Sequence, residues 1–434
     1  MKLWDKGNHK AARLSKAVEA FTVGKDREFD LLLAEYDVQG SLAHAQMLES
    51  VGLLSKKEFK SVQKALQAIL KSIRAGKFTI EEGVEDVHSQ IELLLTRMTG
   101  EAGKKIHSGR SRNDQVLTDI KLFIREEIRN TVKEVQLLFE VLMRLSEQHR
   151  QVLMPGYTHF QAAMPSSFGL WFGAYAESLA DDLEMMLAAY RVVNKNPLGS
   201  GAGYGSSFPL NRSLTTRLLR FDDMHYNVVY AQMTRGKTEK VTAMAMACIA
   251  ATLSKLAYDV CLYMSQNFGF ITFPDELTTG SSIMPHKKNP DVFELIRARC
   301  NRIQALPNEI TLLINNLPSG YHRDMQLLKE MLFPAFTELQ KCLQMTAFML
   351  QHIRVNGEVI KEEKYKYIFS VEAVNAEVKK GMPFRDAYKK VAADIEAGRF
   401  NPPKKIIHTH AGSIGNLCHR QIAARMKNVC KKFF

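Results

Sequence analysis

Cysteine is scarce. Six residues in 434 (Cys248, Cys261, Cys300, Cys342, Cys418 and Cys430) are scattered along the chain, with no CxxC pair among them. That distribution argues against a disulfide framework or a cysteine-based zinc site and fits a reducing compartment. No apolar run approaches the length needed to cross a bilayer, and the opening MKLWDKGNHK has no apolar signal-peptide stretch. A cytoplasmic location without a membrane partner is therefore expected. Aromatic and basic residues are not clustered together, as a nucleic-acid surface would require. What is present is ordinary for a globular protein: 46% hydrophobic and 24% charged residues. The net charge of +13 is spread along the chain. It implies a solvated basic surface, with anionic small molecules as the next reading.

Hydrophobic periodicity predicts helices almost throughout. Residues 26–75 carry apolar positions three and four apart, with Gly52 and Gly76 placed as C-caps. A long helix is predicted to run to about His149 on the stripe Val116, Ile120, Phe123, Ile124, Ile128, Val135, Leu138, Leu142 and Leu145. Others are predicted over 238–268, from Phe293 to Leu317 with Pro307 as a kink, and over 326–352. Long stripes joined by short connections predict an all-α bundle, and apolar residues on more than one face predict burial in an oligomer. At this length two or three domains are expected. The composition shifts after Asn356 to shorter charged helices, a C-terminal domain (357–434), and the expected division of the rest is an N-terminal helical domain (1–105) and a central bundle carrying the main motifs (106–356).

Three polar stretches interrupt the helical pattern. Gly280–Pro290, GSSIMPHKKNP, packs hydroxyls, lysines, a histidine and an amide between small residues and prolines. No apolar period runs through it, so it is read as a functional loop rather than a packing element. KKIHSGRSRNDQ, at 104–115, opens the long helix, and Arg110 and Arg112 beside free helix-start amides would suit an anion. Capping is the simpler account of such a start. MPGYTHFQ, at 154–161, precedes another helix. The glycine-rich NPLGSGAGYGSSFPLNR has no preceding strand and no Gly-Lys-Ser/Thr, so it is not a nucleotide loop. Glu85 and Asp86 read as helix capping acids, and His88 reads first as a structural histidine. His408 and His410 have metal-like spacing, but no carboxylate or cysteine accompanies them in the sequence.

Together these motifs resemble the fumarase/aspartase superfamily and, within it, the argininosuccinate lyase family. GSSIMPHKKNP matches the superfamily's GSSxMPxKxNP pattern, SGRSRNDQV at 108–116 is similar to the argininosuccinate lyase branch, and GYTHFQ, YHRDMQLLKE (321–330) and GMPFRDAY (381–388) resemble further family segments in the same order. The resemblance implies a three-domain fold with a central helical bundle, a homotetramer with active sites shared between subunits, and no metal or organic cofactor. It implies reversible elimination of argininosuccinate to fumarate and arginine, in arginine biosynthesis. Ser281 would be the base, His159 the general acid with Glu294 orienting it, and Lys287 and Asn289 would hold the carboxylates of the fumarate half. Arg112, Asn113, Thr158, Tyr321, Gln326 and Lys329 would contact substrate, with His88 and Asp114 as weaker assignments.

Departures from the pattern fall at Asp5–Gly7, at Phe21–Asp26 where the usual substrate-binding serine has no counterpart, and at Met164, TRGKTEK after Met233, His286 and Leu328. His286 resembles adenylosuccinate lyase, which is the nearer alternative; a crystallin-like structural role is the alternative of another class. The intact Ser281, His159 and Lys287 set favours catalysis over the latter.

Overall fold

The computed structural model describes residues 18, 20–403 and 406–434; the departure at Asp5–Gly7 lies outside them. The chain is mostly helical. Its principal elements are α1 (Asp26–Asp30), α2 (Ala34–Ser50), α3 (Lys56–Arg74), α4 (Val87–Thr99), α5 (Arg112–Gln148), β1 (Leu153–Thr158), β2 (Gln161–Ser167), α6 (Phe168–Val193), α7 (Lys237–Met264), β3 (Thr279–Gly280), β4 (Lys288–Asn289), α8 (Asp291–Leu313), α9 (Leu328–Leu350), α10 (Ser370–Lys379), α11 (Phe384–Glu396) and α12 (His419–Cys430). Two compact units are formed. The first contains the chain up to Thr131, Met185–Ala247 and Ile303–Glu338; the second contains Val132–Glu184, Cys248–Arg302 and Leu339–Phe434. The five long helices each contribute residues to both.

The helices form where the sequence periodicity places them, and their ends are set by local chemistry. The Ser55 hydroxyl accepts from the Glu58 amide while the Glu58 carboxylate accepts from the Ser55 amide, a reciprocal capping box at the start of α3. Gly52 and Gly76, after α2 and α3, have φ of 80° and 67°, the left-handed region where glycine carries no Cβ penalty. Along α5, Ile120, Ile124, Ile128, Val135, Leu138 and Leu142 are buried, and in the first unit Leu48, Val62, Leu66, Val87, Ile91 and Leu95 from α2, α3 and α4 form one core. The predicted helix over 238–268 ends at Met264 and is followed by a turn over 265–269, with the Phe268 and Gly269 amides bonded to the Ser265 carbonyl and Gly269 at φ of 60°.

Contrary to the sequence expectation, one helix does have the length and apolar composition to cross a membrane. It is α7, and 56% of its most apolar window is buried within the fold. Thr252 on α7 donates to Asp182 on α6, and the Trp171 indole donates to Asp259. These are the contacts of a core helix. All six cysteines are free.

Strands are few and occur as two-stranded pairs. Two of them carry polar motifs. β1 pairs antiparallel with β2, with a register shift between Gly156 and Tyr157, and β3 pairs with β4 through Thr279↔Asn289 and Gly280↔Lys288.

Candidate active site

In the first unit, one pocket is lined by Asp26, Asp30, Glu85, Asp86, His88, Arg112, Asn113, Arg235, Tyr321, Arg323, Gln326 and Lys329, with Val23 and Val116. Six of the residues singled out in the sequence therefore face one cavity: His88, Arg112, Asn113, Tyr321, Gln326 and Lys329. Two chain segments make this possible. The first turn of α5 presents Arg112 and Asn113, and the turn over Arg323–Leu327 leads into α9, placing Gln326 and Lys329 close together. The Gln326 amide donates to the Thr22 carbonyl (2.9 Å), and the Arg112 guanidinium donates to Asp86 (2.8 Å) and to the Ser89 hydroxyl (3.2 Å). Asp86 also accepts from the Ser89 amide at 2.7 Å, so the acid read as a cap does cap α4 and orients an arginine as well.

Asp114 lies elsewhere. It is fully buried and accepts from the amides of Ser111 (2.8 Å), Gly199 (2.9 Å) and Gly201 (2.9 Å). The glycine-rich loop thus cradles an anion after all, one belonging to the chain itself. Burial pushes the Asp114 carboxyl up to about 6, against the pull of those donors.

His88 is buried and its Nδ1 is held by Asp37, whose Oδ2 also accepts from the Gln115 amide at 2.7 Å; Asp119 lies 3.3 Å from the same ring nitrogen. Burial, then the Asp37 charge, raises Asp119 well above the carboxylate range. The ligand atoms of Asp37, His88 and Asp119 lie within 4.8 Å of one another, the one such grouping among the described residues. The imidazole and the Gln115 amide already satisfy Asp37, so we read it as a hydrogen-bonded cluster. His408, in an irregular segment, does have an acid beside it, Glu372 of α10 at 2.9 Å.

In the second unit, the β3–β4 hairpin carries the GSSIMPHKKNP loop. The Ser281 Oγ accepts from the backbone amides of Ile283 (3.3 Å) and Met284 (3.1 Å). Two donors on one hydroxyl oxygen stabilise negative charge there. Lys287, Asn289, His286 and Glu294 line a second pocket, together with Cys261, Phe273 and neighbours. Glu294 stands in the first turn of α8, with its amide bonded to the Pro290 carbonyl at 3.1 Å.

His159 and Thr158 lie on the other hairpin. β1 and β2 are joined by His159 and Phe160 alone, with φ of 52° and 58°, the two left-handed residues that a tight two-residue connection demands. Both are exposed. The hairpin base is fixed by the Tyr157 hydroxyl, which donates to Tyr365 at 3.0 Å, and by ring contacts to Phe268 and Phe270. Among the described residues no hydrogen bond or ion pair joins His159 to Ser281 or Glu294. The expected elimination groups and most of the expected substrate contacts therefore belong to different units of the chain.

Asp26, Asp30, Arg235 and Arg323 line the first pocket without having been singled out. Asp26 and Asp30, four residues apart and so on one helical face, were the available signal. In TRGKTEK, Arg235 is ion-paired with Glu239 at 2.8 Å. Leu328, where an acid is usual, is buried.

A sequence profile for the family described as Lyase matches residues 12–305. The chain is 61% identical to argininosuccinate lyase of Bacteroides thetaiotaomicron, with 100% of this chain and 96% of that protein covered. It is 38% identical to argininosuccinate lyase of Thermotoga neapolitana, covering 90% and 97%. Among solved structures, EDDS lyase in complex with formate has a TM-score of 0.74 at 22% identity, covering 95% of this chain and 90% of that one. Class II fumarase from Schistosoma mansoni gives 0.70 at 17% identity, covering 85% and 88%. The all-α fold is thus that of the fumarase-like lyases, and the chain, an enzyme, belongs to the argininosuccinate lyase family.

Proposed function

We propose that this lyase cleaves argininosuccinate reversibly to fumarate and L-arginine, as the last step of arginine biosynthesis in the cytoplasm. The observation that carries the reading is the 61% identity to a curated argininosuccinate lyase from end to end. In the mechanism, Ser281 as alkoxide removes a proton from the succinate carbon next to a carboxylate. That C–H electron pair becomes the C=C bond of fumarate as the C–N bond breaks, and His159 gives a proton to the departing guanidino nitrogen. Glu294 orients His159. Lys287 and Asn289 hold the carboxylates on which charge accumulates, while Arg112, Asn113, Thr158, Tyr321, Gln326 and Lys329 position the substrate. Asp114 and His88 support that wall, Asp114 by anchoring the glycine-rich loop to the start of α5. The amide pair on the Ser281 oxygen supports its assignment as base, since a free serine is too weakly acidic to ionise.

The working form in this reading is a homotetramer in which each active site is assembled from three subunits, and the domains divide near residues 105 and 356. Large apolar side chains left exposed along the long helices, such as Leu295, Leu312 and Phe348, support association.

The test is fumarate release, followed by ultraviolet absorbance, with argininosuccinate and adenylosuccinate offered separately. Release from argininosuccinate is expected, and release from adenylosuccinate alone would overturn the reading. Ser281→Ala and His159→Asn are each expected to lower kcat by about 100-fold or more with the oligomer intact. Near-normal turnover in Ser281→Ala removes Ser281 from the role of base.

A further inference from the structure

We propose that Asp26 is a specificity-determining residue, the carboxylate that receives the α-ammonium of the substrate's amino-acid half. The assignment rests on the argininosuccinate reading and comes from accounting for every charge on the first pocket's wall. That wall carries four acids, Asp26, Asp30, Glu85 and Asp86, and four bases, Arg112, Arg235, Arg323 and Lys329. Arg112 is committed to Asp86 at 2.8 Å, and Arg323 to Glu85 at 3.5 Å. Arg235 is committed to Glu239, which does not line the pocket, at 2.8 Å. Lys329 is left to serve two aspartates, with its Nζ 2.5 Å from Asp26 and 2.5 Å from Asp30. Among the described residues, one ammonium facing two carboxylates leaves a negative charge without a cation of its own, and a site shielded from water favours neutralising it.

The two aspartates are not equivalent. The side chain of Asp30 is 2% exposed and that of Lys329 4%, whereas Asp26 is 19% exposed. Asp30 also lies within 3.4 Å of the Val87 amide, which donates to it. Asp30 and Lys329 therefore form the buried floor, and Asp26 is the member open to a ligand. Burial holds the Asp26 carboxyl above its ordinary range, with Lys329 and, more weakly, Arg235 opposing and the Asp30 charge adding. The remaining wall supplies hydrogen-bond donors, with Asn113, Tyr321 and Gln326 beside the arginines. A pocket with one unspent carboxylate among donors suits an amino-acid end, with its ammonium on Asp26 and its carboxylate on the donors. A purely anionic ligand would meet Asp26 as a repulsion.

The experiment measures inhibition of argininosuccinate cleavage by L-arginine and by 5-guanidinopentanoate. The latter keeps the chain, the carboxylate and the guanidinium but lacks the α-amine. In the wild-type enzyme arginine should inhibit about 10- to 100-fold more tightly, the range of one charge-assisted hydrogen bond. Asp26→Asn should bring the two inhibition constants to within about threefold of each other, by weakening arginine and leaving the analogue nearly unchanged; Asp26→Glu should restore part of the preference. Equal weakening of both compounds would show that Asp26 only positions Lys329 and would overturn the proposal, as would a wild type indifferent to the α-amine. Circular dichroism and gel filtration separate a folding defect from either result. If wild-type enzyme fails to cleave argininosuccinate, the functional reading itself falls. Calorimetric titration with arginine and the analogue then still decides whether Asp26 reads an ammonium group.

Discussion

Lys121 places a titratable group where the solvent cannot reach it. It is wholly buried, its ammonium donates to the Thr238 hydroxyl at 3.0 Å, and burial lowers its pKa to about 7. In the unfolded chain the same amine keeps its proton to about 10.5. Between those values unfolding takes up a proton, so this group makes stability rise with pH across that window. Below pH 7 the charged amine must be buried, and the cost is largest there. Lys121→Met is therefore expected to stabilise the protein at pH 7 by about 1–3 kcal/mol, with the gain shrinking towards pH 10. Urea melts of both proteins at pH 7 and pH 9.5 check it, and a gain that grows with pH would refute the assignment. At this scale the sequence was legible where residues act through local motifs. Arg112, Asn113, Tyr321, Gln326 and Lys329 sit in recognisable stretches and do reach one cavity. Asp26 was not legible: its meaning depends on Lys329, and the neighbouring Asp30 is already 299 positions from that lysine. No local pattern registers a charge imbalance that arises only on folding.

The long helices were legible because their apolar stripes are long and regular; the β1–β2 hairpin was not. It lacks the Asn-Gly or Asp-Gly signature that announces a tight turn, and it uses His159 and Phe160, both at positive φ, instead. Residues other than glycine held there cost about 1–2 kcal/mol and persist at positions that matter for function. Substitution separates the two contributions. His159→Gly fits the turn without strain and should leave the melting temperature unchanged or slightly higher, whereas β-branched His159→Val should lose about 1–2 kcal/mol. Both should lose activity, so thermal melts read beside fumarate release distinguish a backbone requirement from a chemical one. Equal destabilisation by both variants would mean that the imidazole itself holds the hairpin together.

For the whole molecule, large apolar side chains remain exposed along the long helices: Leu137, Met244, Leu295, Leu312, Met345 and Phe348 are 44–65% accessible in the single chain. Rows of this kind are what association would cover, in keeping with the proposed tetramer. Sites shared between subunits make a sharper prediction than mass alone. Arg112→Ala and Ser281→Ala chains are each expected to be inactive. Co-expressed, they should regain activity corresponding to about a quarter of the sites, those drawing an intact Arg112 from one subunit and an intact Ser281 from another. A mixture as inactive as its components would place each complete site within a single chain. The bundle class was readable from the composition and periodicity of the chain. The pairing of surfaces between copies was not, because an apolar face carries no record of which copy covers it.

The division of polar groups between the two units bears on how such a protein changes over generations. The wall that carries Asp26 and Lys329 and the loop that carries Ser281 belong to different compact units and are supported by different neighbours. A substitution at Asp26 can alter which molecule is accepted while the amides of Ile283 and Met284 go on holding the Ser281 oxygen. Descent can therefore vary preference and chemistry one at a time, so new substrates can be tried without first giving up the reaction.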